Sequence, residues 1–313
     1  MGPYRLPPGF RVVRLQADKE AARREALLRE VHALLRLNYG SYAESESPAQ
    51  WLANLGKSGL DASQGLKLMV SGVLDAAGKL VGFSSQEVLP HGANRYVLNG
   101  YTCGVVSKPA SGPLVPADPE HYEAILWAVK HDAALAVAAL QKDLMAHGAF
   151  VQASFQEHKT DNESHRPKIR AGFNIGQVPL GAAGLTGYQI PVYPADVQGS
   201  SGAVDPALLA SSKKEGTHAE LFMADLHPCH PAVPLATMLR EFAAAYATAH
   251  SAYAPNLVDD PGYRAICGFA DKVAQRTYAD VYAQAFKAAP AYLGLDAALQ
   301  GKSPADHSHC IIS

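Results

Sequence analysis

Three successive stretches between Leu66 and Val106 restrict the fold of this chain more than any other segment. Leu66–Leu74, Lys79–Leu89 and Tyr96–Val106 read as strands, rich in β-branched and other apolar residues. They are separated only by Asp75-Ala76-Ala77-Gly78 and by Pro90-His91-Gly92-Ala93. Connections that short join antiparallel neighbours, because a parallel crossover needs a dozen or more residues. The glycine at 78 stands where a tight hairpin wants a left-handed residue. An antiparallel meander of three strands follows. Ser107–Pro119, with four prolines and one glycine, is a loop. After it, Ile125, Leu126, Val129, Ala133, Val137, Leu140 and Leu144 form the buried stripe of a long helix over Glu120–His147, which Gly148 ends.

The flanking segments extend the pattern. Arg11–Leu15 reads as a first strand, and Asp18 begins a helix carrying Leu27, Leu28, Val31, Leu34 and Leu35. Pro48 opens a short helix with Trp51, Leu52 and Leu55 on one face. Val151–Glu157 is a strand, Asn162–Ala171 a helix, and Gly176–Leu180 with Gly187–Tyr193 a closing hairpin. The order β-α-α-β-β-β-α-β-α-β-β is an α+β plan. Residues 10–195 are expected to form this domain, 196–214 a linker rich in glycine, serine, proline and alanine, 215–302 a helical extension, and 303–313 a tail.

Composition excludes some functions. A net charge of −2 and a pI near 6.7 give no global field toward nucleic acid or an anionic membrane. No apolar run approaches the roughly 18 residues a membrane helix needs, and Met1–Leu15 lacks the apolar core of a signal peptide. Cys103, Cys229, Cys267 and Cys310 lie far apart without metal-binding or redox spacing. The expectation is a reduced, cytoplasmic protein; a homo-oligomer is compatible with the sequence. His227-Pro228-Cys229-His230 reads as a loop turn rather than a metal site, because three ligands within one prolyl turn cannot reach tetrahedral angles. Cys310-Ile311-Ile312-Ser313 fits a prenylation pattern, but no polybasic segment precedes it.

Several local motifs carry a family resemblance. Gly78-Lys79-Leu80-Val81-Gly82-Phe83 is similar to the "G-x-L-V-G-F" that opens the third strand of GNAT acyltransferases. Tyr101-Thr102-Cys103-Gly104-Val105 resembles their fourth strand. Asp161-Asn162-Glu163-Ser164 with Ala171-Gly172-Phe173 resembles their "D-N … L-G-F" helix. The resemblance implies a mixed sheet with an antiparallel meander and splayed parallel strands. It also implies acetyl-CoA or another acyl-CoA as cofactor and a small-molecule amine as acceptor. In that family a glycine-rich loop opening the long central helix wraps the pyrophosphate with unpaired amides. Counting back from Asn162 places this loop near Ala128–Ala133, where His131 occupies the glycine position and Asp132 adds negative charge. Lys130, His131, Ala133 and Asn162 are therefore cofactor candidates, as are Cys103 and Val105. Two alternatives follow: a displaced cradle at Ser107–Gly112, with Lys108 as cation, or a domain that no longer binds CoA.

Amine acylation needs a base for the ammonium proton, donors for the thioester oxygen, and an acid for the leaving thiolate. Glu87 is the base candidate: a carboxylate on a central strand faces a pocket or sits in water at the strand end. Tyr101 is the acid candidate, or a core tyrosine. Ser85 shares the face of Glu87 by the period of two, and Asn99, Tyr101 and Cys103 share a face of the next strand; Ser85 and Asn99 are acceptor candidates. Gln152, Ser154, Gln156 and His158 make one face of a later strand polar, which calls for a ligand, water or partial exposure. Ser154 and Gln156 are read as acceptor-binding and His158 as catalytic. Two classes of function follow: an acyl-CoA-dependent N-acyltransferase, and a GNAT-like protein without acyl transfer, serving as a ligand-binding or regulatory module or catalysing other chemistry through His158 and Glu87.

Overall fold

The computed structural model describes residues 5–39, 48–55, 67–90, 95–105, 119–159, 166–189, 205–207, 210, 219–224, 234–250 and 254–294. The fold is mixed α/β, with antiparallel sheet and helices, in two compact units. The first is built on Met1–Val151 and Pro167–Ile175, the second on Gln152–Arg166 and Gly176–Cys310.

The first unit holds the meander expected from the sequence. Strands β1 (Arg11–Arg14), β2 (Lys67–Leu74), β3 (Leu80–Pro90) and β4 (Arg95–Val105) lie side by side in chain order, each antiparallel to the next. The β2–β3 turn is closed as its residues demand. Gly78 takes φ 84°, and one Asp75 carboxylate oxygen accepts from the amides of Ala77 and Lys79, at 2.9 Å each.

Alternation along β2 sorts its side chains to two faces. Leu68, Val70 and Leu74 join Leu80 and Phe83 in one core cluster with α1 (Ala21–Tyr39) and α2 (Pro48–Asn54). Val73 points the other way, into a cluster with Ile125, Leu126 and Val129 of α3 (Pro119–Ala146) and Ala171 of α4 (Arg166–Asn174). Each face of a sheet must bury its apolar side chains against something, and the helices on both faces do so. Helix α3 has 28 residues, about 42 Å at 1.5 Å per residue. One ionic contact ties three elements around it. Asp132 of α3 accepts a forked pair from Arg14 of β1, with Nη2 at 2.8 Å, and the Ser71 hydroxyl of β2 at 2.7 Å. The guanidinium pKa rises through that hydrogen bonding to Asp132.

The second unit has a three-stranded antiparallel arrangement. β5 (Phe150–Lys159) pairs with β7 (Ala219–Ala224) from Phe155 onward, and β7 pairs in turn with β6 (Gln177–Pro179). This corrects the closing hairpin read from the sequence. Gly187 and Tyr188 are not in a strand, residues 190–193 lie outside the described residues, and the partner of β6 comes from 219–224. The segment read as a purely helical extension thus contributes a strand before its helices.

Those helices are α5 (Leu235–His250), α6 (Pro261–Lys272) and α7 (Tyr278–Tyr292). Asp260 caps α6, its carboxylate accepting from the Tyr263 amide at 2.8 Å. Thr277 and Asp280 cap α7 reciprocally, a capping box with aspartate in the third position. Gly262 in the first turn of α6 is required by proximity: a Cβ there would run into the Gln189 carbonyl. No helix among the described residues is long and apolar enough to cross a membrane.

Candidate functional site

Strand β3 crosses the first unit with four consecutive polar residues, Ser84, Ser85, Gln86 and Glu87, all buried. The register shows how they divide. Phe83, Ser85 and Glu87 stand opposite Gly72, Val70 and Leu68, on the face covered by α1 and α2; Ser84 and Gln86 stand opposite Ser71 and Met69, on the face of α3. Ser85 and Glu87 thus share a face, as the period of two requires. Glu87 is 1% exposed, so the reading of a solvated strand-end carboxylate does not hold. A carboxylate that deep needs partners that favour it over water, because moving it unsatisfied into apolar surroundings costs several kcal/mol.

Strand β4 departs from strict alternation. Cys103 is registered with Ser84, Thr102 with Ser85, and Val105 with Gly82. Beyond an irregularity, Asn99 is registered with Glu87. The two β3 partners Ser84 and Glu87 have opposite parity, so one added residue at Gly100–Tyr101 breaks the pattern that put Asn99, Tyr101 and Cys103 on one face. The bulge brings Asn99 into register with the candidate base. A sequence does not announce such a bulge except through a glycine inside the strand, which Gly100 is.

The reading of Lys130, His131 and Ala133 as a phosphate-binding loop is corrected. All three lie inside α3, more than ten residues beyond its start, where backbone amides are committed to the carbonyls four residues earlier. Lys130 is 1% exposed, and the His131 ring stacks on Trp127, centroids 4.6 Å apart. The negative charge of Asp132 is held by Arg14 rather than presented to a ligand. Lys108, the rest of Ser107–Gly112, and Asn162 lie outside the described residues, as do the His227–His230 turn and the C-terminal cysteine pattern. Among the described residues no group of three His, Cys, Asp or Glu is placed to hold a metal ion.

In the second unit, Ser154, Gln156 and His158 of the polar row expected on β5 are buried, which removes partial exposure as the explanation for these three; the side chain of Gln152 lies outside the described ones. Gln156 stands opposite Phe222 and His158 opposite Glu220. The His158 ring meets the Phe222 ring edge-on, at 4.9 Å. On the same face, the Tyr292 hydroxyl of α7 donates to Glu220, and the Gly181 amide donates to it too. Burial outweighs both donors and raises the Glu220 pKa. Burial and then the Glu220 contact push the Tyr292 phenol above its ordinary range.

A folded-state carboxyl pKa above the unfolded one means that the native protein holds its proton more tightly. The contribution of Glu220 to stability is therefore fully present below the unfolded value of about 4.5 and is lost as pH rises through the raised value. Glu220→Gln is expected to flatten the pH dependence of the melting temperature just above pH 4.5 and to leave neutral-pH stability equal or higher. A scan of melting temperature against pH for both proteins checks this.

The opposite face of β5 holds a group that sequence reasoning missed. Its residues Ala153 and Phe155 are buried and apolar, as are Leu221 and Met223 across from it on β7, yet Glu157 follows in the same series, partly exposed. Tyr188 donates its hydroxyl to one Glu157 carboxylate oxygen and Tyr246 of α5 donates to the other. Tyr246 stacks on Phe242, centroids 5.4 Å apart, and Phe242 packs on Phe155 at 4.6 Å. The one local signal was a charged residue breaking an apolar alternation.

No protein-family model matches this chain, and no curated protein matches it in sequence. Among solved structures it is similar to a spermidine N-acetyltransferase, a chimera of the Vibrio cholerae SpeG and hSSAT proteins. The identity is 11%, over 69% of this chain and 95% of that one, with a TM-score of 0.29.

Proposed function

We propose that the chain is an N-acyltransferase that moves an acyl group from acyl-CoA to an amine of a small molecule. The observation that carries this reading is Glu87, a fully buried carboxylate inside an antiparallel meander, in register with Asn99 across a bulge. In this reading Glu87 takes the proton from the acceptor ammonium, which exposes the nitrogen lone pair. Tyr101 protonates the departing thiolate, and backbone amides around Cys103 and Val105 stabilise the oxyanion. Ser85 and Asn99 bind the acceptor; Ser154, Gln156 and His158 are kept as candidates from the second unit.

The phosphates of acyl-CoA require donors at a helix start. The long helix begins at Pro119, so this reading takes as cradle the sequence that precedes it, with Lys108 as cation, rather than 128–133. A second reading, a binding module without acyl transfer, is favoured by one observation: the stretch aligned with the glycine loop is helix interior. Calorimetric titration of the purified chain with acetyl-CoA and with CoA separates the two. Micromolar binding of acetyl-CoA is the expected result; absence of binding at millimolar ligand overturns the acyltransferase reading and leaves the binding module.

A further inference from the structure

The end of α7 is held by less packing than the rest of the helix. Val281, Tyr282, Ala285, Phe286 and Ala289 are buried, whereas Ala291, Tyr292 and Gly294 are exposed and Leu293 is partly covered. Pro290 weakens the helix at the same place: it has no N–H to give the Phe286 carbonyl, so one rung of the ladder is missing. The Leu293 amide still donates to the Ala289 carbonyl at 2.8 Å, and the Gly294 amide to the Ala291 carbonyl at 3.3 Å. The side-chain anchor is the Tyr292 hydroxyl, which donates to Glu220 of β7. With 47% of its surface exposed, Tyr292 gains little from apolar burial, so the hydroxyl contact carries much of its docking.

The anchor point depends on close approach. Glu220 also accepts from the amide of Gly181, in the 3-10 turn Leu180–Ala183. A Cβ at Gly181 would run into both the Tyr292 hydroxyl and the Glu220 carboxylate. The titratable groups facing Glu220 are Tyr292 of α7 and His158, its register partner on β5; β6 and the 3-10 turn contribute none. Docking takes the carboxylate partly out of water, and that burial outweighs its two neutral donors. Undocking returns it to water. We propose that the end of α7 is a proton-controlled latch, docked on β7 while the Glu220 carboxyl is protonated and progressively released as that carboxyl ionises. By linkage, the form that holds the proton more tightly is favoured at low pH. Docking is therefore strongest below the unfolded value of about 4.5 and weakens as pH rises through the raised one. The Tyr292 phenol is itself shifted upward and stays a neutral donor throughout. The latch lies within the second unit and does not depend on acyl transfer.

The test is hydrogen exchange of the full-length chain by mass spectrometry across the mildly acidic to neutral range, with rates corrected for the intrinsic effect of pH. Protection at Leu293 and Gly294 reports the opening of the latch, and the amides of α5 serve as the internal reference. In the unaltered protein, protection at the end of α7 should fall several-fold as pH rises, while that of α5 stays level. E220Q keeps a neutral side chain of the same shape, and keeps His158, so its protection should stay near the acid value at every pH. Y292F and G181A should each lose several-fold protection even at the acid end. The first removes the donor, and the second pushes the hydroxyl off its seat. Protection independent of pH in the unaltered protein, an equal fall in α5, or a fall that persists in E220Q would overturn the proposal. So would wild-type protection in Y292F. If E220Q does not fold, the unaltered protein and Y292F decide.

Discussion

Glu87→Gln is expected to lower turnover in acetyl-CoA-dependent amine acylation by about 10²–10⁴-fold, the range over which a positioned general base acts. Glutamine has the same shape and keeps one acceptor oxygen, so the buried site stays filled, and far-ultraviolet circular dichroism should be unchanged. Thiol release from acetyl-CoA at saturating amine measures the rate. The split between parameters is informative. A base that acts only in the transition state lowers kcat and kcat/KM together, whereas a residue that merely binds the acceptor raises KM. Wild-type turnover in the variant would take Glu87 out of the mechanism. Its burial would then be a structural feature of β3, with its neighbours Ser84, Ser85 and Gln86.

Trp51→Ala is expected to destabilise the first unit by about 3–5 kcal/mol, the usual cost of deleting a large buried aromatic. Helix α2 has only seven residues, too few to persist on its own propensity, so its place depends on what it buries. Trp51 is its anchor, fully buried in the cluster of Leu28, Val31, Leu34, Leu68 and Phe83. The His32 ring meets it edge-on at 4.9 Å. A cavity at that point also undermines α1, which shares the cluster. Thermal unfolding followed by circular dichroism should show a fall in midpoint on the order of 10 °C. Trp51→Phe should recover much of the loss by refilling part of the volume. A shift under about 2 °C for the alanine variant would mean that α2 contributes little to the core.

The readings that survived from residues to coordinates share one property: adjacent residues carried them. The β2–β3 hairpin was legible because Asp75 and Gly78 supply the turn's hydrogen bonds and its left-handed backbone within four positions. The stripe Leu126, Val129, Ala133, Leu140 and Leu144 was legible because helical period is a local pattern, and these residues are buried on α3. Glu87 was legible as a candidate because a carboxylate inside a central strand is conspicuous wherever that strand goes. Its burial was not, since solvation at a strand end depends on which helices cover the sheet.

What the coordinates decided was long-range. The phosphate loop sought at Ala128–Ala133 by counting residues conflicted with the helical stripe already running through those positions, and the 28-residue helix α3 keeps the stripe and excludes the loop. The pairing of β6 with β7, the Arg14–Asp132 contact across 118 positions, and the convergence of Tyr188 and Tyr246 on Glu157 each depend on distant segments meeting. Periodicity and turn chemistry are properties of short windows, so this chain's own residues settled its meander and its central helix. Partner choice is settled by loop closure and by competition among all surfaces that bury apolar area. Only the folded chain shows which carboxylate faces which hydroxyl.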